Sequence, residues 1–375
     1  MTEVGLGGAG GDRPRQLTTP HGTLALPAFM PDATKGVVRT IDAADLAAVG
    51  IEAVCVNTWH LAQKPGTRAI DKLGGVHRFM GFDGPILSDS GGFQILSLIA
   101  SGAVDGSATK KGLRWRMKEQ ESELLTPEKC IRWQAKLGAD LLVCLDHCTR
   151  PEDPPEAQRT SVEHTVVWAE ECRATRDRIA EESGVMRPLL AVIQGGNDRA
   201  LRRECAERLL AIGFDGYAFG GWPIDSEGGL VPSVAQVAAL VPHDRPLWGL
   251  GIGKPENLVA AARQGYTLFD CVLPTRDARH GRLYVRLGAP GPKRDGFYDH
   301  IYIGDEKHAV DDSPVEPGCP CPCCSRYSRA YLHHLTNVKE ALAARLATLH
   351  NLSFYSRLLR ELRGEMSATP TKNEA

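Results

Sequence analysis

Four polar residues stand at the ends of four apolar runs: Asp89 after "GPILS", Asp146 after "DLLVCL", Gln194 after "LLAVI" and Asp270 within "TLFDC". Carboxylates in such positions can serve as nucleophiles or as general acids and bases. Behind Asp270 the stretch "TLFDCVLPTRDARHGR" brings Arg276, Arg279, His280 and Arg282. A carboxylate that only needed an ion pair would not need four basic neighbours, whereas one working on a phosphate-bearing substrate would. Glycine pairs accompany these residues in "SDSGGFQ", "QGG" and "FGGW", and a glycine lets backbone N–H groups approach a flat ligand. None has the Gly-x-x-x-x-Gly-Lys spacing, and "GIGKPEN" lacks it too, so no nicotinamide or ATP site is expected. Two aspartates and a glutamine around backbone amides suit a purine. The carboxylates accept from N1–H and the exocyclic amine, and amide donors meet O6. Phe93 and Leu250 can cover the two faces of such a ring. A single strand-end acid can equally cap the next helix, but four converging polar residues favour a shared pocket.

A second constellation is "CPCPCC", which puts Cys319, Cys321, Cys323 and Cys324 within six residues, with His350 downstream in "ALAARLATLHNL". Three thiolates and one imidazole make a closed tetrahedral zinc site of the structural kind. The spacing leaves open which cysteine is spare, and His333 and His334 compete with His350.

The elements that must position these residues are eight short apolar runs: 27–31, 52–57, 84–88, 140–145, 189–193, 216–220, 247–251 and 267–271. Most are apolar throughout, as strands of a parallel sheet are. Helical patterns lie between them. Thr126-Pro127 reads as a cap followed by an N1 proline, Asn197 as the cap of a helix stopping at Gly213, and "KPENLVAAARQG" as a helix stopping at Gly265. Eight βα units predict an α/β fold, a (β/α)8 barrel whose strand C-termini open onto one face. The alternative is an open doubly wound sheet. Residues 98–125 read as an inserted loop or hairpin, and 300–375 as the cysteine cluster followed by long helices.

Composition sets the outer limits. In 375 residues, 42% are hydrophobic and 24% charged, which is ordinary for a soluble globular chain. No apolar run is long enough to span a bilayer. The glycine-rich start "MTEVGLGGAGG" has no apolar core of a signal peptide and reads as a loose tail over 1–14. A net charge of −2 argues against a general nucleic-acid coat and leaves room for a local basic patch. The eleven cysteines without a secretory signal read as reduced thiols plus a metal site, and the expected compartment is the cytoplasm.

The motifs "SDSGGFQ", "QGG", "GGW", "GIGKPEN", "FDCVLPTR" and the Cys-x-Cys-x-x-Cys…His pattern, spread over residues 15–366 in order, resemble the bacterial-type tRNA-guanine transglycosylases. That family exchanges guanine for a 7-deazaguanine base at the wobble position of tRNA with a GUN anticodon. The resemblance implies a TIM barrel over 15–299, a zinc-binding, largely helical subdomain over 300–375 and a homodimer. It implies that Asp270 is the nucleophile at the ribose C1′ and Asp89 the general acid/base. It implies that Ser90, Gly91, Gly92, Phe93, Asp146, Gln194, Gly221, Trp222 and Leu250 hold the base. Gly251, Lys254, Asn257, Thr275, Arg276 and Arg279 would contact RNA. One structural Zn2+ per chain would be held by Cys319, Cys321, Cys324 and His350.

Three segments depart from the family pattern. "FMPDATKG" stands for a more usual "FMPVGT"-like stretch, "LDHCT" carries His147 where an acid is common, and "GGWPIDSEGG" replaces a "GGLAVGE"-like loop. In the family the peptide after the second glycine turns either its N–H or its C=O toward position 7 of the base. Pro223 has no N–H, so this peptide offers only a carbonyl, which favours the donor-bearing base preQ1. Ile224 is bulky where queuine's cyclopentenediol would need room, and Cys148 is retained. Rival readings are a zinc-dependent barrel hydrolase, for which "NTWH" offers only His60, a non-catalytic partner subunit, which would not need both Asp89 and Asp270, and a relative acting on DNA or a free nucleoside.

Overall fold

The computed structural model describes residues 6–7, 13–117, 121–287 and 296–368. Its centre is a parallel sheet of eight strands: β1 (Ala28–Pro31), β2 (Val54–Asn57), β3 (Ile86–Asp89), β4 (Leu141–Val143), β5 (Leu189–Ile193), β6 (Gly216–Phe219), β7 (Leu247–Leu250) and β8 (Leu268–Cys271). Each lies in one of the eight apolar runs, β3 reaching one residue past its run to take in Asp89. Strand neighbours follow sequence order round the ring, and β8 pairs with β1, Phe269 opposite Phe29. The ring closes between β1 and β2 at a single parallel bridge, Asp32 to Cys55, with the Ala33 N–H donating to the Cys55 carbonyl at 2.7 Å.

The strands are apolar on both sides because both sides are buried. Side chains alternate between two layers. Ala28, Met30, Leu87, Val143, Val192, Ala218, Trp248 and Leu268 fill the barrel. Phe29, Val56, Ile86, Leu142, Ala191, Tyr217, Leu247 and Phe269 face the helices. A hairpin of Gln16–Thr19 and Gly22–Ala25 adds Leu17 and Leu24 to the inner layer.

Helix starts follow local chemistry. Thr126 caps Pro127–Leu137 by accepting from the Lys129 N–H at 3.1 Å, with proline at N1. The helix Arg199–Ile212 starts one residue later than expected. Its cap is Asp198, not Asn197, because the Asp198 carboxylate accepts from both Ala200 and Leu201 N–H groups at 2.8 and 3.0 Å. The segment 98–125 forms a three-stranded antiparallel sheet of Asp105–Thr109, Gly112–Arg116 and Glu123–Leu125 behind the helix Gly92–Ala100. Trp115 is buried in it.

After β8 come the helix Leu273–Arg279, the hairpin Arg282–Arg286/Tyr298–Tyr302, the cysteine cluster and two helices, Arg329–Asn337 and Ala341–Ala368. The last helix reaches back to the first βα unit. Arg345 pairs with Asp45, Ser356 donates to the Gly50 carbonyl at 3.0 Å, and Arg363 donates to the Pro27 carbonyl at 2.9 Å. Tyr355 packs on Phe29 with ring centroids 4.7 Å apart. Most of the expected tail, 1–5 and 8–12, lies outside the described residues. Leu6 and Gly7 pair with Leu17 and Gln16, and Arg13 is buried, donating to the Ala238 and Pro242 carbonyls.

Candidate active site and metal centre

Strand alternation decides which residues face the open end of the barrel. In β8 the inward positions are Leu268 and Asp270, and in β3 Leu87 and Asp89. In β2 they are Cys55 and Asn57, and Gln194 follows inward Val192 in β5. A cavity of about 440 Å³ opens there, lined among others by Asp89, Asp146, Gly221, Trp222, Leu250 and Asp270. Phe93, Cys148, Pro223 and Ile224 complete its walls. Phe93 and Trp222, both partly exposed, meet edge to face at the rim, 6.0 Å between centroids.

Asp270 accepts from the Trp248 indole N–H at 2.9 Å and from the Gly251 N–H at 3.3 Å, both on one oxygen. Burial pushes its pKa up to about 7, with the charge of Asp89 adding to the effect. Asp89 accepts from Asn57 Nδ2 at 2.9 Å and Gln94 Nε2 at 3.4 Å. Burial raises its pKa as well, opposed by backbone N–H groups of Gly91 and Ser90 and by the two amides. Asp146 is buried and accepts from Gln194 Nε2 at 2.7 Å. Burial raises it to about 7, with Asp89 again contributing. Three acids around one cavity therefore hold protons more tightly than free carboxylates do, Asp146 and Asp270 most clearly. Such a set can keep one group ionised while a neighbour carries a proton.

Buried Gln194 leaves its Oε1 without a hydrogen-bond partner among the described residues, on the side of Gly221. An orphaned acceptor beside Asp146 suits a ligand that brings N–H donors. Gly91 has φ +80°, and a Cβ there would stand 2.5 Å from Trp59 Cβ, so only glycine lets the backbone turn into Asp89. Arg202 is buried beneath the floor. Its guanidinium donates to the carbonyls of Ile193, Gly196 and Gly220 at 2.8–3.0 Å and lies 4.3 Å from the Phe219 ring centroid.

The sequence reasoning missed Asn57, Gln94, Trp248 and Arg202. Inward parity at the end of β2 was the available signal for Asn57. His147 is not in this cavity. It stacks on His164, and burial pushes its pKa down to about 4, so it is neutral. Ser90 is buried and accepts from the Gly92 N–H at 3.3 Å.

The residues expected to meet RNA divide into two groups. Arg276 is exposed, and Arg279 and Lys254 are half-buried at the same end of the barrel. Gly251 donates to Asp270. Asn257 is buried and ties the Gly228 carbonyl at 2.9 Å, and Thr275 is buried and donates to the Val272 carbonyl. Asn257 and Thr275 are thus spent inside the protein, whereas Gly251 is exposed and lines the cavity. Arg282, of the same basic run, pairs with Asp277.

Sγ of Cys319, Cys321 and Cys324 lies 3.8, 3.8 and 3.2 Å from His350 Nδ1, and the four ligand atoms lie within 4.8 Å of one another. A tetrahedral zinc with Zn–S about 2.3 Å and Zn–N about 2.0 Å has edges of roughly 3.5–3.8 Å, so the set fits a metal ion. His350 Nε2 donates to the Tyr284 carbonyl at 2.6 Å, which fixes the tautomer with Nδ1 free to ligate. Cys323 stands outside the set. His333 is committed to the Ile303 carbonyl and Asn337.

Barrel, acid-lined cavity and Cys3His cluster together define a (β/α)8-barrel enzyme with a separate cluster able to hold a metal ion. Comparison with known proteins narrows this class. A sequence model of the queuine tRNA-ribosyltransferase family matches residues 9–371. The chain is 39% identical over 362 residues to the queuine tRNA-ribosyltransferase of Solidesulfovibrio magneticus, covering 95% of this chain and 91% of that protein. It is 40% identical to those of Desulfosudis oleivorans, over 95% of this chain and 89% of that one, and of Nitrosospira multiformis, over 92% and 90%. The chain belongs to the queuine tRNA-ribosyltransferase family. Among the described residues no helix is long and apolar enough to cross a membrane.

Proposed function

We propose that the protein exchanges guanine for a 7-deazaguanine base at the wobble position of GUN-anticodon tRNA, a step of queuosine biosynthesis. The observation that carries this is one cavity lined by Asp89, Asp146, Gly221 and Asp270, in a chain of this family. An Asp270 oxygen attacks C1′ of the target ribose. The C1′–N9 bond breaks, its electron pair leaves with guanine, and Asp89 supplies the proton the base takes up. The incoming base then gives its N9 proton to Asp89 and attacks C1′, and the ester to Asp270 breaks. Two displacements at one carbon retain configuration, as in a retaining glycosidase.

The base-reading roles go to Asp146, Gln194 and Gly221, with Phe93 and Leu250 on the ring faces. Arg276, Arg279 and Lys254 take the anticodon backbone and bases, while the target base is flipped into the cavity. Cys319, Cys321, Cys324 and His350 would hold one Zn2+, which supplies folding free energy to the segment 300–375. We read that segment as a subdomain on a barrel of residues 15–299, and the active species as a cytoplasmic homodimer.

For the base, preQ1 is preferred over queuine. Pro223 and Ile224 line the cavity, and the Val231 N–H donates to the Pro223 carbonyl at 2.9 Å, which holds the loop in place. The Trp222 carbonyl is then the group available to the aminomethyl of preQ1. The test is exchange of labelled guanine into tRNA transcripts, with the matching DNA as control. Wild type is expected to label RNA and form a covalent adduct that Asp270→Ala lacks. An undiminished adduct in that variant overturns the nucleophile assignment.

A further inference from the structure

Asp32 directly follows β1 and was not among the residues singled out from the sequence. Ala28 and Met30 belong to the inner layer of the barrel, and two residues on Asp32 has the same inward parity. Its backbone bridges Cys55 of β2 on one side. On the other, the β1–β8 register aligns Met30 with Asp270 and Pro31 with Cys271. Asp32 therefore stands on the rim beside the nucleophile, where its charge contributes to the raised pKa of Asp270 and acts on Arg279 as well.

The carboxylate is held but not consumed. Its Oδ1 accepts from the Thr34 N–H at 2.9 Å and from the Thr34 hydroxyl. No hydrogen bond or ion pair reaches Oδ2 among the described residues, and the residue is only half-buried. One oxygen is thus a fixed, open acceptor.

The order of strands round the barrel says what arrives there. The base-reading groups stand on β4, β5 and β6, and the nucleophile on β8. With the base toward β4–β6 and C1′ over Asp270, the rest of the sugar and its neighbours extend toward β8 and β1. Exposed Lys35, Arg39 and Arg276 surround that side and suit phosphates. A carboxylate repels a phosphate, so its partner must be a neutral donor. The 2′-hydroxyl is the one such donor on an RNA backbone, and it is what separates RNA from DNA.

We propose that Asp32 is a specificity-determining residue that accepts a hydrogen bond from a ribose 2′-hydroxyl, of the target nucleotide or an immediate neighbour, and so favours RNA over DNA. This rests on the transglycosylase reading. The test is guanine exchange into an anticodon-stem hairpin made entirely of RNA and into three versions with a single 2′-deoxy residue, at the target, its 5′ neighbour or its 3′ neighbour. The position that responds identifies the hydroxyl.

Wild type is expected to lose on the order of 10- to 100-fold in kcat/KM at one position, the worth of a hydrogen bond to a charged group. Asp32→Ala is expected to lose a similar factor on the all-RNA hairpin and nothing further at that position, the signature of a coupled pair. Asp32→Asn, whose amide oxygen still accepts, is expected to keep part of the penalty. Each penalty is a ratio within one protein, so it is independent of the fraction folded and of any change in the ionisation of Asp270. A full 2′-deoxy penalty in Asp32→Ala, or a wild type indifferent to all three, overturns the proposal. No exchange by wild type into the all-RNA hairpin overturns the underlying transglycosylase reading, and this proposal with it.

Discussion

Asp270→Asn changes charge with almost no change of shape, and its effect on stability has a sign opposite to the usual one for an active-site substitution. Burial raises the Asp270 pKa from 3.8 to about 7. An acid whose folded-state pKa is raised binds its proton more tightly in the native protein than in the unfolded chain. The native state is therefore favoured at low pH and loses that advantage as pH climbs from about 4 through about 7. Three units at about 1.4 kcal/mol each set an upper limit of roughly 4 kcal/mol. The side chain lines a cavity open to solvent, which screens the charge, so about 1–3 kcal/mol is the realistic cost of the ionised form.

Asparagine carries no such cost, and its Oδ1 can still accept from Trp248 and Gly251. The variant is expected to melt a few degrees above wild type at pH 8 and alongside it at pH 4, while losing the covalent step. Thermal melts across that range, followed by circular dichroism, measure it. A variant less stable than wild type at pH 8, or a difference that ignores pH, would refute the reasoning.

Arg276→Ala and Arg279→Ala are each expected to weaken tRNA use by about 1–3 kcal/mol without changing affinity for the free base. Steady-state kinetics with varied tRNA and varied base separate the two. Cys321→Ala is expected to abolish zinc retention and lower the melting temperature, read by metal analysis and calorimetry. A variant that keeps one zinc and melts like wild type reassigns the ligand to Cys323. Pro223→Ala restores an N–H to the peptide at the cavity wall. The ratio of kcat/KM for preQ1 over guanine is expected to fall, since an unpaired acceptor facing guanine N7 costs roughly 1–3 kcal/mol in the wild type.

The barrel strands were legible because both faces of each are buried, leaving short apolar runs that Gly, Pro and Asp interrupt. Asp89, Asp146 and Asp270 were legible as polar residues ending those runs. Asn57 and Trp248 were hidden by the same logic. An asparagine at the end of "EAVCVN" and a tryptophan inside "LWGLG" read as strand, and although the β7–β8 register sets Leu250 opposite Asp270, it is the inward-facing Trp248, opposite Leu268, whose indole N–H reaches the Asp270 carboxylate. Arg202 lies in "DRALRRECAERLL", where a charged residue reads as solvated surface, yet it is the one arginine there turned under the sheet. Motif position could not separate Arg276 from Thr275, one residue away on the same short helix, because a turn of about 100° per residue sends one outward and the other into the core. Similarly, spacing left three histidines as candidate ligands, and only the structure, with His350 Nδ1 against the three thiols and His333 bonded to a carbonyl, separates them.

The helix Ala341–Ala368 covers β1 and the first βα unit, laying Tyr355 on Phe29 and Arg345 on Asp45. During synthesis the first strand emerges long before this cover exists. Its outer face and Phe29 stay open to water, chaperones or another nascent chain until more than three hundred further residues have been made. The cover on the first strand is thus the last part of the fold to be made, on a helix that also carries His350 of the Cys3His cluster. Under the zinc reading proposed above, a chain deprived of the metal is expected to show its weakness at the opposite end of its own sequence.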